Sequence, residues 1–262
     1  MVAPGKWAVV TGANRGLGFD VAKQLAASGR SVIITSRDKA AGAAAAQALS
    51  EAAAPGARVV VLQLEASSPD SIRALAAEVQ AEYEGQVDLL VGGWDRWDRI
   101  NNAGMTVDGI SAADHEATLK TNLDGAIDIT LALLLHLAQG ARVVQVASRR
   151  GMLSTVGPGY GERIKAAATL DEVRAAAHRF DPDHLAQGPA TGQSYAVSKA
   201  ALIRATQLMA ESPHFKARDI SVVAVAPGWW CQGARSILLA SEDNIPNGSF
   251  SYDGKLLDWT SK

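Results

Sequence analysis

KWAVVTGANRGLGFDVAKQLAASG, residues 6–29, joins an apolar run to a helix through a glycine-rich turn. The run from Lys6 reads as a short strand, because its apolar residues continue without strict polar alternation, as in a strand covered on both faces. The segment after it carries Leu17, Val21 and Leu25 at helical spacing, with Gly29 placed to stop the helix. Between the two, Gly12, Gly16 and Gly18 leave a turn without side chains at a helix N-terminus. A pyrophosphate can approach the backbone N–H groups and the positive end of the helix dipole at such a turn. The spacing is G-x-x-x-G-x-G, not G-x-G-x-x-G, and glycine-rich turns also arise from plain strand–helix packing. The turn alone therefore leaves both readings open.

Working outward, the same kind of run recurs as SVIITSR, ARVVVLQLE, VDLLV, ARVVQVAS and ISVVAVAPG. Helical segments separate these runs. SPDSIRALAAEVQAEY starts with Ser68 as an N-cap and Pro69 in the first turn. The alanine-rich DKAAGAAAAQALSEAAAPG reads as a surface helix of high propensity. Strand and helix alternate from residue 6 to about residue 226, which predicts an α/β fold: a doubly wound (Rossmann) parallel sheet with helices on both faces. No Pro-, Gly- or Ser-rich linker and no domain-sized repeat divides the 262 residues, so one domain over 1–262 is expected.

Composition excludes several classes. A net charge of -2 argues against nucleic acid as a partner, since neutralising phosphates needs clustered Lys and Arg. Cys231 is the one cysteine, which rules out an intrachain disulfide, and no Cys/His group has metal-ligand spacing, so no metal is expected. His115, His136, His178, His184 and His214 are scattered and read as ordinary surface or helix residues. The N-terminus lacks the apolar core of a signal peptide, and no apolar stretch reaches the roughly 18 residues of a membrane span. A soluble cytoplasmic protein without a membrane partner is expected.

Further along, YAVSK sets Tyr195 and Lys199 at i and i+4, on one face of a helix. An ammonium beside a phenol favours the phenolate and suits a general acid/base near neutral pH. A lone pair of this kind also occurs by chance, but here it is part of an ordered series: TGANRGLG, NNAG, KTNLDG, VVQVASRRG, YAVSK and VAPGWW. This succession resembles the short-chain dehydrogenase/reductase family over nearly the whole chain. The resemblance implies reduction of a carbonyl to an alcohol by hydride transfer from a nicotinamide cofactor. It implies that Asn122 holds a water of a proton relay and that Ser148 hydrogen-bonds the substrate carbonyl. It implies further that Tyr195 donates the proton, while Lys199 binds the nicotinamide ribose and lowers the tyrosine pKa. Negative charge builds on the carbonyl oxygen as hydride arrives, which is where a serine hydroxyl and a tyrosine proton help. The cofactor-binding positions implied are Gly12, Asn14, Arg15, Gly16, Leu17 and Gly18 in the first turn, Asn101, Ala103 and Gly104 in NNAG, and Pro227, Gly228 and Trp229 in PGW, with Tyr195 and Lys199.

Cofactor choice has its own signal. The second strand ends SVIITSRD, with Ser36 and Arg37 where an NAD-dependent enzyme wants a carboxylate for the ribose 2′-hydroxyl. Arg37 and Arg15 suit a 2′-phosphate instead, because guanidinium grips phosphate in a bidentate way. Asp38 stands one or two positions late. NADP(H) is expected; the alternative is that Arg37 is a solvated strand-end residue. At the third strand's exit Glu65 stands where the family usually has an aspartate that meets the adenine.

Some segments depart from the pattern. Between Ser148 and Tyr195 lies a long insert, about 152–190, whose TLDEVRAAAHRF reads as a helix capped by Thr169. It resembles the carbonyl reductase-like branch, as do PGWW and NGSFSYDGKLLDW. That branch implies NADPH, a monomer, and a small aldehyde, ketone or quinone as substrate; alternatively the insert merely decorates the surface. After PGWW, Gln232 takes the approximate place of a threonine that bonds the nicotinamide amide, and the substrate loop looks shortened. A catalytically impaired nucleotide-binding or regulatory protein is therefore the alternative function. Finally, nine residues, Gly92 to Ile100, separate VDLLV from NNAG, with Trp94 and Trp97 among them. Either the strand keeps its register and the insert bulges out, or the strand slips and Ile100 takes the place of Val91. The insert is either a functional loop or a remnant of splicing or gene prediction.

Overall fold

The computed structural model describes residues 6–92, 111–186, 192–228, 230–242 and 244–261. In chain order the elements are β1 (Trp7–Val10), α1 (Gly16–Ala27), β2 (Ser31–Ser36), α2 (Lys39–Glu51), β3 (Val59–Gln63), α3 (Pro69–Tyr83) and β4 (Val87–Gly92). Then follow α4 (Ala112–Leu119), a π-helical turn (Lys120–Asp124), α5 (Gly125–Leu133), β5 (Leu137–Val146) and a 3-10 turn (Arg149–Gly151). The long insert supplies α6 (Leu153–Val156), α7 (Pro158–Ala166), α8 (Leu170–His178) and α9 (Pro182–Ala186). The chain continues with α10 (Gln193–Glu211), α11 (Pro213–Lys216), β6 (Ser221–Ala226), α12 (Trp230–Ala240), β7 (Phe250–Tyr252) and β8 (Lys255–Leu256).

The strands form one sheet in the order β3-β2-β1-β4-β5-β6-β7-β8, parallel except for the β7–β8 pair. Each run read from the sequence became a strand, and the doubly wound α/β fold is the one expected. Period-2 alternation sorts each strand onto two cores. Trp7, Val9, Ile33, Leu90 and Val143 face a core closed by α3, α5 and α10. Ala8, Val10, Val32, Ile34, Leu89, Val91 and Val144 face one closed by α1, α2 and α12. Residues on both faces are apolar because both faces are covered, which is why the strands do not alternate in polarity. The helix ends behave as their residues dictate. The Ser68 and Thr169 side chains cap α3 and α8 by accepting from Ser71 N and Glu172 N, and Gly29, at φ 93°, ends α1 as Arg30 N donates to Leu25 O.

The fourth strand keeps its register. Val91 pairs with Val10 on one side and Val144 on the other, so Ile100 does not take its place. Residues 93–100 of the short insert, including Trp94 and Trp97, lie outside the described residues. The long insert is not a surface decoration: Tyr160, Ile164, Val173, Ala177 and Leu185 are buried in the core that α10 closes. Strands β7 and β8 went unread because three and two residues are too short to show a period. Among the described residues no helix is long and apolar enough to cross a membrane.

One buried charge ties the last helix to the sheet. Arg142 on β5 is 6% exposed and donates to Ala240 O (2.7 Å), Ile245 O (2.6 Å) and Ser221 Oγ (3.1 Å). Its guanidinium thus sits at the negative end of α12, where the last carbonyls lack helical partners. Arg142→Met should leave those carbonyls unpaired in the interior and cost on the order of 3 kcal/mol, read as a lower urea midpoint with an unchanged slope.

Candidate active site

The strand order reverses at β1, between β2 and β4, so a crevice opens at the carboxyl ends of β1 and β4. The two ends are stitched together by Thr11, whose N–H donates to Val91 O at 3.0 Å. The turn above them needs its glycines. Gly12 (φ 59°) and Gly16 (φ 63°) take left-handed conformations. A Cβ at Gly18 would lie 3.0 Å from Ala13 Cα, so α1 lies directly against the turn. Thr35 orders the turn from the neighbouring strand by accepting from Gly12 N at its hydroxyl (3.0 Å) and from Ala13 N at its carbonyl (3.1 Å). The N-cap residue of α1, Arg15, makes no side-chain cap, and the first turn carries no acidic residue. The N–H groups of that turn therefore suit an outside acceptor, and a phosphate group fits this cradle.

At the carboxyl ends of β1 and β2, Arg15 and Arg37 are both exposed. Asp38 is engaged elsewhere: its carboxylate caps α2, accepting from Ala41 N at 2.9 Å. Glu65 is partly buried, and its carboxylate accepts from Ser67 Oγ (2.9 Å) and Ser67 N (3.3 Å). Across the crevice, a Cβ on Gly233 of α12 would fall 2.6 Å from Leu17 Cδ2 and 3.4 Å from Pro227 Cβ, so two expected cofactor residues both lie against this glycine. Gly228 (φ 76°) lies against Tyr252, 2.7 Å from Cε2 by the same measure. Asn101, Ala103, Gly104 and Trp229, and the side chains of Cys231 and Gln232, lie outside the described residues. Gln232 does fall within α12, which begins at Trp230, four positions after β6 ends at Ala226.

Helix α10 carries the chemistry-bearing pair. Tyr195 is 5% exposed and Lys199 fully buried, with Nζ 5.6 Å from the centre of the Tyr195 ring. The ammonium donates to Val146 O, at the end of β5, at 2.8 Å. Two residues on, Ser148 opens the 3-10 turn, and its hydroxyl accepts from Arg150 N at 3.2 Å. Gly151 ends that turn against α10: a Cβ there would lie 2.7 Å from the Lys199 carbonyl carbon. The Arg150 guanidinium stands 6.0 Å from the Tyr195 ring centre. Asn122 is 1% exposed in the π-helical turn and donates from Nδ2 to Ser198 Oγ at 3.4 Å, while Ser198 donates to Tyr195 O at 2.7 Å. The structure thus gathers Asn122, Ser148, Tyr195 and Lys199 around one end of α10. A groove of about 340 Å³ lies near the other end, lined by Leu208, Met209 and Phe215. It is about 20 Å along the helix from Tyr195.

Sequence reasoning missed the polar groups behind this site. His115 was read as an ordinary helix or surface residue; it is on α4 but 1% exposed. Its Nε2 bonds Ala177 O (2.9 Å) and its Nδ1 bonds Ser194 Oγ (2.8 Å). A carbonyl only accepts, so Nε2 carries the proton and Nδ1 accepts from Ser194. Burial pushes the His115 pKa down, which favours the same neutral ring. His178 lies between Glu116 Oε2 (2.7 Å from Nδ1) and Asp124 Oδ2 (2.9 Å from Nε2). The i, i+4 spacing of Arg174 with His178 and of Asp124 with Asp128 was the available signal, but spacing does not reveal which helices face each other.

Known proteins resemble this chain in sequence and fold. The short chain dehydrogenase family model matches residues 6–163. Carbonyl reductase (NADPH) 3 of Rattus norvegicus is 32% identical, over 96% of this chain and 98% of its own. Salutaridine reductase of Papaver somniferum superposes with a TM-score of 0.77 at 25% identity, covering 95% of this chain and 99% of that one. Menthone neomenthol reductase of Mentha piperita does so with a TM-score of 0.75 at 26% identity, covering 97% and 100%.

The contact at Gly151 is backbone on backbone and has no side chain to yield. Gly151→Ala should therefore lower the melting temperature by about 5 °C. Gly161→Ala, where the added Cβ meets only Leu153 at 3.6 Å, should not lower it. Equal melting temperatures for the two variants would contradict the close approach.

Proposed function

The chain belongs to the short-chain dehydrogenase/reductase family, and we propose that it is an NADP-dependent reductase of aldehydes, ketones or quinones of modest size. The family and its carbonyl and alcohol reductase relatives establish an oxidoreductase acting on such groups in general. The observation that carries the finer reading is the buried end of α10, where Tyr195 and Lys199 share a face beside the Ser148 turn and the Asn122 turn.

A bound nicotinamide cofactor would supply hydride to the carbonyl carbon. The protein's own residues would do the rest. The glycine turn, Gly12, Asn14, Arg15, Gly16, Leu17 and Gly18, would hold the pyrophosphate, with Arg15 and Arg37 on a 2′-phosphate and Glu65 near the adenine. Asn101, Ala103, Gly104, Pro227, Gly228, Trp229 and Gln232 would line the remainder. Ser148 would donate a hydrogen bond to the substrate oxygen as negative charge gathers there. Tyr195 would transfer its phenolic proton to that oxygen, completing the alcohol and leaving a phenolate. The Lys199 ammonium favours that phenolate through its charge and would hold the ribose. Asn122 would hold a water through which Tyr195 is reprotonated.

In this reading residues 1–262 form one NADP-binding Rossmann domain with insertions at about 92–100 and 152–190. Helix α8 lies over α4 and α10, which supports a monomer, and the protein acts in the cytoplasm on a small-molecule carbonyl. One observation favours a second reading, a nucleotide-binding member impaired in catalysis: only residues 227–229 separate β6 from α12. A lid that excludes water has little length to form there.

NADPH oxidation against a panel of aldehydes, ketones and quinones, with cofactor binding followed by fluorescence, separates the readings; binding without turnover supports the second. Tyr195→Phe should lower kcat by about 10²–10⁴-fold with NADPH affinity unchanged. Arg37→Ser should weaken NADPH by about tenfold or more and leave NADH alone. Equal binding of NADH and NADPH by the unaltered protein contradicts the cofactor choice.

A further inference from the structure

Helix α8 belongs to the long insert, and it reaches both halves of the candidate site through polar groups, two side chains on one side and a backbone carbonyl on the other. On one side it grips the turn that carries Asn122. Lys120–Asp124 is π-helical, closed by Gly125 N donating to Lys120 O. Such wide turns are rare, and they recur at functional sites. Asp124, the last residue of the turn, meets His178 Nε2 at 2.9 Å and Arg174 Nη1 at 3.5 Å. Arg174 Nη2 also bonds Asp128 on α5 at 2.5 Å, and His178 Nδ1 bonds Glu116 on α4 at 2.7 Å. From behind, Gly125 presses on Ala66, where a Cβ would lie 2.3 Å from the carbonyl oxygen. The turn is therefore held between the β3–α3 loop and α8.

On the other side, the carbonyl of Ala177 on α8 accepts from His115, and His115 accepts from Ser194, the residue before Tyr195. Consecutive residues of α8, Ala177 and His178, are thus linked to Ser194, beside Tyr195, and to Asp124, in the turn that carries Asn122.

We infer that Arg174, His178 and His115 are positioning residues, and that α8 is a clamp holding the Asn122 turn and the Tyr195 end of α10 in register. This rests on the reductase reading proposed above. Both ring nitrogens of His178 face carboxylates, which only accept, so the working state of the clamp is the imidazolium. The bond to Asp124 and the bond to Glu116 raise the His178 pKa above its ordinary value despite partial burial. The bond to His178 lowers that of Glu116. The other titratable groups in the cluster are Lys120, which pairs with Glu116 at 3.3 Å, Arg174 with Asp128 and Asp171, and His115, which is neutral. Because the folded pKa of His178 is raised, its contribution is complete at mildly acidic pH. It is lost as pH rises through that raised value. The contribution of Glu116, with a lowered pKa, is lost as pH falls through it.

The test is the double variant Arg174→Gln/His178→Gln, at two positions whose side chains are 26% and 24% exposed, with folding checked by far-UV circular dichroism. Its kcat should fall by about 10- to 100-fold, since small misplacements of reacting groups cost that much, with NADPH affinity unchanged. The wild-type kcat should decline with rising pH across the His178 titration, and the variant should lack that decline. Hydrogen exchange of the full chain should quicken over residues 118–125 and 193–199 and stay constant over α1. Arg174→Lys, which keeps a cation, should recover most of the kcat lost in Arg174→Gln. Ser194→Ala, which cuts only the His115 link, should quicken exchange over 193–199 alone. Wild-type kcat and exchange in the double variant overturn the clamp while leaving the reductase reading intact. Absence of turnover in the unaltered protein, or full turnover in Tyr195→Phe, overturns the reductase reading, and the exchange measurement then decides the clamp by itself.

Discussion

The ammonium of Lys199 has no exposed surface, and the candidate site is arranged around satisfying it. An unpaired charge in the interior would cost far more than a typical hydrogen bond returns. The carbonyl of Val146, at the last residue of β5, accepts from it and thereby fixes α10 against the carboxyl edge of the sheet. The consequences run outward from that bond. Ser148 follows Val146 by two residues, so the strand that satisfies the lysine also delivers the serine. Gly151 lets the next turn lie on the backbone of Lys199 itself, where a larger residue would collide. Tyr195 stands one helical turn before the lysine and shares its face.

A helix that carries a buried lysine and tyrosine cannot be held by the sheet alone. Its outer face is closed by α7, α8 and α4, and the apolar residues of those helices join the same core as the strands. The long insert is therefore part of what makes α10 an interior helix. Its polar residues do something the apolar ones cannot. Hydrophobic contact is non-directional, whereas the bonds of Arg174 and His178 specify which carboxylate lies where. The apolar part of the insert supplies burial, and the polar part supplies register.

Much of this was legible in the chain. The glycine turn was legible as a turn because glycine adopts the left-handed conformations of Gly12 and Gly16 most readily and alone leaves room for the close approach at Gly18. Tyr195 and Lys199 were legible because four-residue spacing on a helix has one geometric meaning. The cap of α8 was legible at Thr169 because a hydroxyl before an acidic first turn satisfies the free N–H groups. The π-helical turn was not legible, since nothing in KTNLD distinguishes it from ordinary helix. Nor was the burial of His115, because a histidine on a helix carries no mark of which neighbour will cover it. Asp38 could be set aside as a ribose ligand only on position, until its carboxylate was seen capping α2.

Local pattern alone determined six strands, the doubly wound class that their alternation with helices implies, and the pair on α10, since each of these depends on residues close together in the chain; the strand order came from the tertiary structure. Tertiary structure decided which alternatives survived. The register of β4 was settled by its neighbours, because Val91 must pair with Val10 and Val144 at once. That the insert packs into the core was settled by where α8 lands, with His178 reaching Asp124 54 residues away in the chain. Contacts of that range carry no periodicity and no spacing rule, and only the packed fold brings their partners within reach.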